Sequence, residues 1–224
     1  MQFRHELKHE ISTSDMIAVR QRMRAIAKGD PHAVDGKYLI RSLYFDTPGN
    51  KALLEKQSGV SRRQKFRIRY YNFDKSVIHL EKKCKMGGLG TKISASLSAE
   101  EADKIVRGDI SWMRDSKDEL LKELYTAMVS QRLEPKTIVD YTREPFIYGP
   151  GNVRVTLDYN IRTGLEATDF LNTECVTVPA SQGTCIMEVK WDDYLPDIIR
   201  DAVQLPTSRT GSFSKYEVCR LPIF

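Results

Sequence analysis

A chain of 224 residues, 41% hydrophobic and 29% charged, can bury a sizeable core and is too rich in apolar residues to be disordered. Its formal net charge of +5 admits an anionic partner without identifying one. No apolar run approaches the ~20 residues of a membrane-spanning helix, and MQFRHELKHE lacks the apolar centre of a signal peptide. The cysteines, Cys84, Cys175, Cys185 and Cys219, form no C-x-x-C pair and read as reduced thiols of a cytoplasmic protein rather than a disulfide frame or zinc site.

From Phe3 to Ile11 the chain alternates, with Arg4, Glu6, Lys8 and Glu10 on one face of a strand and Phe3, His5, Leu7, His9 and Ile11 on the other. Ser12 or Thr13 then caps a helix to about Lys28. Met16, Val19, Met23 and Ile26 form its apolar stripe, and Gly29-Asp30-Pro31 stops it. Tyr38 to Asp46 is a strand, Asp46-Thr47-Pro48-Gly49 a turn, and Asn50 to Lys56 a short helix.

Lys65 to Lys85 reads as a hairpin turning at Asn72-Phe73-Asp74-Lys75. Lys65, Arg67 and Arg69 share a face opposite Phe66, Ile68 and Tyr70. On the return strand His79, Glu81, Lys83 and Lys85 oppose Ile78, Leu80, Lys82 and Cys84. Gly87 to Gly90 connects to a strand over Thr91–Leu97 that carries Lys92 on its polar side. Ser98 to Glu101 is a capping box for a helix ending near Gly108. Asp115 to Arg132 reads as the longest helix, ended by Pro135. Strands follow over Thr137–Tyr148, Asn152–Ile161 and Thr184–Trp191. A short helix spans Pro196–Gln204, and a last strand runs from about Ser212 to Arg220.

At least six strands thus pair an apolar side with one bearing Lys, Arg or Glu. An open antiparallel sheet with a solvated face explains this pattern, and so does a barrel closed around a charged interior. A cationic interior would repel itself unless filled, and a phosphate chain is its natural ligand: Arg offers a planar donor fork and Lys a compact charge. Carboxylates among such cations make sense as ligands of Mg²⁺ or Mn²⁺.

Glu6-Leu7-Lys8, Arg67-Ile68-Arg69, Glu81-Lys82-Lys83, Tyr141-Thr142-Arg143, Glu188-Val189-Lys190 and Ser212-Phe213-Ser214-Lys215, in this order, resemble the catalytic domain of the vacuolar transporter chaperone (VTC) family. That family belongs to the CYTH-like triphosphate tunnel metalloenzymes. The resemblance runs over nearly the whole chain and implies a single α+β domain over residues 1–224, a closed antiparallel β-barrel of about eight strands forming a charged tunnel with helices outside. It implies a polyphosphate polymerase that moves the γ-phosphate of ATP onto a growing polyphosphate chain and releases ADP. Lys8, Arg67, Arg69, Lys83, Lys92, Tyr141, Arg143 and Lys215 would bind phosphates, with Arg67, Arg69, Lys83 and Arg143 as the catalytic clamp. Glu188 would hold Mn²⁺ or Mg²⁺. Strand parity adds Arg154, Lys190, Glu6 and Glu81 to the tunnel, the two acids as further metal candidates. Ser212 stands where some members carry a second basic residue.

A triphosphate or nucleoside triphosphate hydrolase on the same fold, and a non-enzymatic polyphosphate binder, are the alternatives. Gly87 to Lys92 does not match G-x-x-x-x-G-K-[ST], the histidines lack metal-ligand spacing, and no signature of a covalent nucleophile is present. Interleaved acids and the lack of a recognition helix argue against a specific nucleic-acid partner. ATP and polyphosphate or triphosphate are the expected partners, and a membrane-associated protein partner is compatible with the sequence.

Overall fold

The protein is described by a computed structural model covering residues 4–87, 89–181, 183–205, 209–211 and 213–220. Strand β1 (His5–Ile11) leads into α1 (Thr13–Ile26), then β2 (Lys28–Gly29), β3 (Tyr38–Asp46) and α2 (Lys51–Gln57). Strands β4 (Arg63–Tyr71), β5 (Asp74–Met86) and β6 (Leu89–Leu97) follow, with α3 (Ala99–Arg107), a 3₁₀ turn (Ser111–Asp115) and α4 (Glu119–Gln131). The remainder is β7 (Glu134–Tyr148), β8 (Val153–Thr163), β9 (Val178–Pro179), β10 (Cys185–Trp191), α5 (Asp197–Val203), β11 (Arg209–Thr210) and α6 (Lys215–Arg220). Of the strands among the described residues, β2, β9 and β11 span only two residues each, so eight are long enough to carry a face.

The chain divides into two compact units. The first comprises Met1–Leu39, Tyr141–Ile161 and Ser181–Ser214; the second comprises Ile40–Asp140, Arg162–Ala180 and Lys215–Phe224. In the first, the strand order is β11-β1-β10-β8-β7, with β2 on β7. Val153, Val155 and Leu157 of β8 and Cys185, Met187 and Val189 of β10 pack with Met16, Val19 and Met23 of α1 and Ile199 and Ala202 of α5. Helix α1 starts at a capping box in which Ser12 and Asp15 satisfy each other's backbone N–H groups, a device worth ~1 kcal/mol.

In the second unit the order is β7-β3-β4-β5-β6. Leu43, Phe45, Phe66, Ile68, Tyr70, Ile78 and Leu80 cover one face and pack with Ala102 and Ile105 of α3 and Leu120, Leu121 and Leu124 of α4. Asn72 and Phe73 alone turn β4 into β5, each with positive φ (50° and 57°), which suits the right-handed twist of the strands. The turn is therefore shorter than the four residues expected, and Asp74 already pairs with Tyr71.

Antiparallel strands flanked by helices match the expected class, but neither unit closes into a barrel by itself: the first ends on β11 and the second on β6. Three local expectations are corrected. The segment from Lys215 is a helix rather than a strand, because Tyr216 and Cys219, three apart, are buried on one side of a turn while Glu217 reaches Lys56. Helix α4 begins at Glu119, where the Asp118 side chain accepts the Leu120 N–H, so α4 is one residue shorter than α1, 13 against 14. It ends at Arg132 in the left-handed conformation, and Pro135 already lies in β7. Ser212 lies outside the described residues.

Candidate functional site

The second unit carries a dense basic face. Because directly opposed residues of an antiparallel ladder share a side, the register sets the rows of this face. Arg63 pairs with Lys85, Lys65 with Lys83 and Lys83 in turn with Lys92, Arg67 with Glu81, and Arg69 with His79. Strand β3 adds Tyr44 beside Arg67 and Ser42 beside Arg69. Three lysines in one cross-strand row repel one another, and the sequence sets only a single acid among these cations, in the adjacent row.

That acid is Glu81, 3% exposed. Its Oε2 accepts from Arg67 Nε at 2.8 Å and lies 2.6 Å from Nη2; Arg69 Nη1 is 3.7 Å from the same oxygen. Lys92 Nζ donates to Oε1 at 3.0 Å. Burial pushes the Glu81 carboxyl up, but Arg67, Arg69 and Lys92 outweigh it and hold the group well below the usual carboxylate range. Glu81 stays ionised and binds the basic face together. Arg69, 3% exposed, also donates to Tyr71 Oη at 3.3 Å. Lys215 opens α6, whose next residue, Tyr216, stacks on the Tyr44 ring.

Lys82 lies on the opposite side, as parity requires. It donates to Glu123 Oε2 of α4 at 2.6 Å and sits over the Phe66 ring.

The first unit has a charged face of a different kind. Lys8 pairs with Glu188 and Glu188 with Thr156; Glu6 pairs with Lys190 and Lys190 with Arg154. Lys8 Nζ is 3.1 Å from Glu188 Oε1 and 3.2 Å from Glu6 Oε1. Lys190 Nζ is 3.4 Å from Glu188 Oε2 and 3.7 Å from Glu6 Oε1. Burial pulls the Lys8 ammonium down, but Glu188 and Glu6 outweigh it and keep Lys8 protonated. For Glu188, burial is outweighed by Lys8, by hydrogen bonding with Glu6, and by Lys190 and Arg143, and the carboxylate stays ionised. Arg143 lies over the Tyr141 ring and grips Asp158 with a two-bond fork of 2.6 and 2.7 Å, while Glu188 Oε2 is 3.7 Å from its Nη2. Arg154 reaches Asp30 at 3.2 Å.

The fit of a divalent metal follows from these donors. Glu6 and Glu188 lie side by side on shared lysines, and the buried Thr156 hydroxyl oxygen next to Glu188 has no hydrogen-bond partner among the described residues. Two carboxylates suit a hard cation that takes its other oxygens from phosphate and water. No group of three or more His, Cys, Asp or Glu forms an all-protein cage among the described residues. Glu188 and Glu81, one in each unit, both have their two oxygens on cations; what favours the first unit is the second carboxylate, Glu6, on the same lysines as Glu188.

Each expected site residue therefore falls into one of two clusters: Glu6, Lys8, Tyr141, Arg143, Arg154, Glu188 and Lys190 in the first unit, and Arg67, Arg69, Glu81, Lys83, Lys92 and Lys215 in the second. Sequence reasoning missed Asp158, Tyr44 and Tyr216. Asp158 could have been found by its place on the Arg154–Thr156 face of β8. Tyr44 carries no such signal, since an aromatic residue in an apolar run reads as core, and Tyr216 lies in the segment that the sequence pattern reads as a strand.

The VTC domain family matches residues 3–222. The chain belongs to that family. Among solved structures, this VTC domain resembles a Bacillus halodurans protein provisionally described as an adenylate cyclase. The TM-score is 0.52 at 17% identity, over 84% of this chain and 80% of that one. PH1819 of Pyrococcus horikoshii OT3 gives 0.42 at 14% identity, over 89% of this chain and 84% of that one. A conserved hypothetical protein of Pyrococcus furiosus gives 0.43 at 9%, over 89% and 85%. No curated protein sequence matches. Membership of the family supports a phosphate-related function for the VTC domain. No helix among its described residues is long and apolar enough to cross a membrane.

Proposed function

We propose that this VTC domain is a metal-dependent polyphosphate polymerase, which transfers the γ-phosphate of ATP to the end of a polyphosphate chain and releases ADP, within a charged tunnel of the kind the family resemblance implies. The observation that carries the reading is the face of β4, β5 and β6. There Lys65, Lys83 and Lys92 stand in one row and Arg67 and Arg69 follow on a single buried acid. Such an array of like charges suits a ligand made of repeated phosphates.

Phosphoryl transfer asks of a protein mainly that it position phosphate oxygens and neutralise their charge. On the second unit Arg67, Arg69 and Lys83, with Lys92 and Lys215, supply phosphate contacts, and on the first Arg143, with Lys8, Tyr141, Arg154 and Lys190, supplies others. Glu188, with Glu6 beside it, holds Mn²⁺ or Mg²⁺. Such a cation would supply Lewis-acid neutralisation of the phosphate charge at those carboxylates. The attacking oxygen belongs to a terminal phosphate that is already ionised, so the chain needs no strong general base.

The test is incubation with ATP and Mn²⁺ or Mg²⁺, followed by separation of products. ADP together with lengthening polyphosphate supports the reading. Orthophosphate without chain growth overturns it in favour of a hydrolase, and no turnover with retained polyphosphate affinity makes the domain a binder.

A further inference from the structure

The pivot of the second unit's basic face is a buried phenol. Tyr44, 2% exposed, lies on β3 directly across from Arg67. Its hydroxyl oxygen accepts a hydrogen bond from Arg67 Nη1 at 2.8 Å. Arg67 uses Nε and Nη2 on Glu81, so the guanidinium plane is gripped at one edge by the carboxylate and at Nη1 by the phenol. Two partners that hold a planar group through three nitrogens leave it little freedom to rotate. An arginine fork recognises phosphate well only when its plane is fixed, because the two parallel bonds require a set orientation.

The ring of Tyr44 does a second job. Arg67 and Lys65 lie over it at 5.7 and 5.5 Å, so the ring also faces two of the cations. It stacks on Tyr216 of α6 with centroids 5.2 Å apart and planes at 27°. Tyr216 in turn donates to Asp46 Oδ2 at 2.7 Å, and Asp46 accepts the N–H groups of Thr47, Ala52 and Leu53. The Tyr44–Tyr216 stack therefore joins α6, which begins with Lys215, to the strand that holds Arg67.

We propose that Tyr44 is a positioning residue for phosphate binding: its hydroxyl and Glu81 together set the plane of Arg67, and its ring packs on α6, the helix that begins with Lys215. This rests on the reading of that face as a phosphate site. A phenol wholly within the core would need one hydrogen-bond partner of any kind. Here the partner is a candidate phosphate ligand, and burial, which raises the phenol's pKa, is outweighed by Arg67, Arg69 and Lys215.

The experiment is a double-mutant cycle read by calorimetric binding of inorganic triphosphate to the full chain, with thermal unfolding of each apo variant as the folding control. Tyr44→Phe keeps the ring and the stack. It should melt within a few degrees of the wild type while binding triphosphate about tenfold more weakly, the loss of ~1.4 kcal/mol that one orienting bond accounts for. Arg67→Ala should weaken binding further. In the Arg67→Ala background, Tyr44→Phe should cost almost nothing more, because the group it orients is gone. A Tyr44→Phe penalty that is equal in both backgrounds, or no penalty in either, overturns the proposal. Failure of the underlying reading looks different: Arg67→Ala would then bind triphosphate as tightly as the wild type. If Tyr44→Phe fails to fold, Tyr44→Trp, which keeps an aromatic stack and offers no oxygen to Arg67, repeats the cycle.

Discussion

Replacing Glu81 by Gln removes one negative charge from among three cations and keeps the side chain's size. The cations do not suffer equally. The Lys92 side chain is 55% exposed and can turn to water, so its pair is worth no more than ~1 kcal/mol. Those of Arg67 and Arg69, 21% and 4% exposed, cannot. Removing one partner of a buried ion pair costs ~3–5 kcal/mol. Because the amide oxygen of Gln still accepts a hydrogen bond, the lower end, ~3 kcal/mol, is the expectation. At ~2–4 °C per kcal/mol for a chain of this size, the apo variant should melt about 6–12 °C below the wild type. Inorganic triphosphate supplies the missing anions. A hundredfold excess over its dissociation constant stabilises the wild type by ~2.7 kcal/mol, and the variant should gain more than that. The assay is thermal unfolding of both proteins with and without triphosphate, combined with calorimetric Mn²⁺ binding. An apo melting point within about 2 °C of the wild type would refute the view that Glu81 holds the arginines. Loss of Mn²⁺ binding in the variant would make Glu81 a metal ligand instead.

Lys83→Ala should lower turnover at least ~10-fold by removing a charged phosphate contact, whereas Lys82→Ala, which loses a pair with half-exposed Glu123 and a place over the Phe66 ring on the opposite side, should leave it unchanged; ADP release under the same ATP concentrations compares the two. Glu188→Gln should abolish most turnover and weaken Mn²⁺ binding without unfolding the chain, as read by product analysis and calorimetry; full activity would remove Glu188 from the metal site. Acid should weaken the fold. Glu81 and Glu188 have native pKa values below that of an unfolded glutamate, ~4.3, so the unfolded state takes up more protons as pH falls. Their stabilisation is complete above about pH 5 and is lost progressively below it, through the native pKa values. Urea midpoints measured across this range should fall less steeply for Glu81→Gln than for the wild type.

Strand parity made much of the site legible. Which side of β4 carries Arg67 and Arg69, and that Lys83 and Lys82 part company on β5, follow from a period of two that needs no knowledge of neighbours. The boundaries of β3 and the capping box at Ser98 were equally local, while the choice of Ser12 over Thr13 as the cap of α1 was not. Segment Lys215–Arg220 was misread because six residues with apolar positions three apart differ little from an alternating strand until burial of Tyr216 and Cys219 selects the helix.

The sequence by itself determined the long strands, their charged sides and the family, because backbone period, caps and motif order are written along the chain. Only the tertiary structure decided what each charge does. Glu6 shares its lysines with Glu188, Glu81 is enclosed by Arg67, Arg69 and Lys92, and Tyr44 reaches Arg67. These pairings depend on strand register and on how segments distant in sequence are brought together, and a charge acts on a phosphate or a metal through its nearest neighbours in space rather than along the chain.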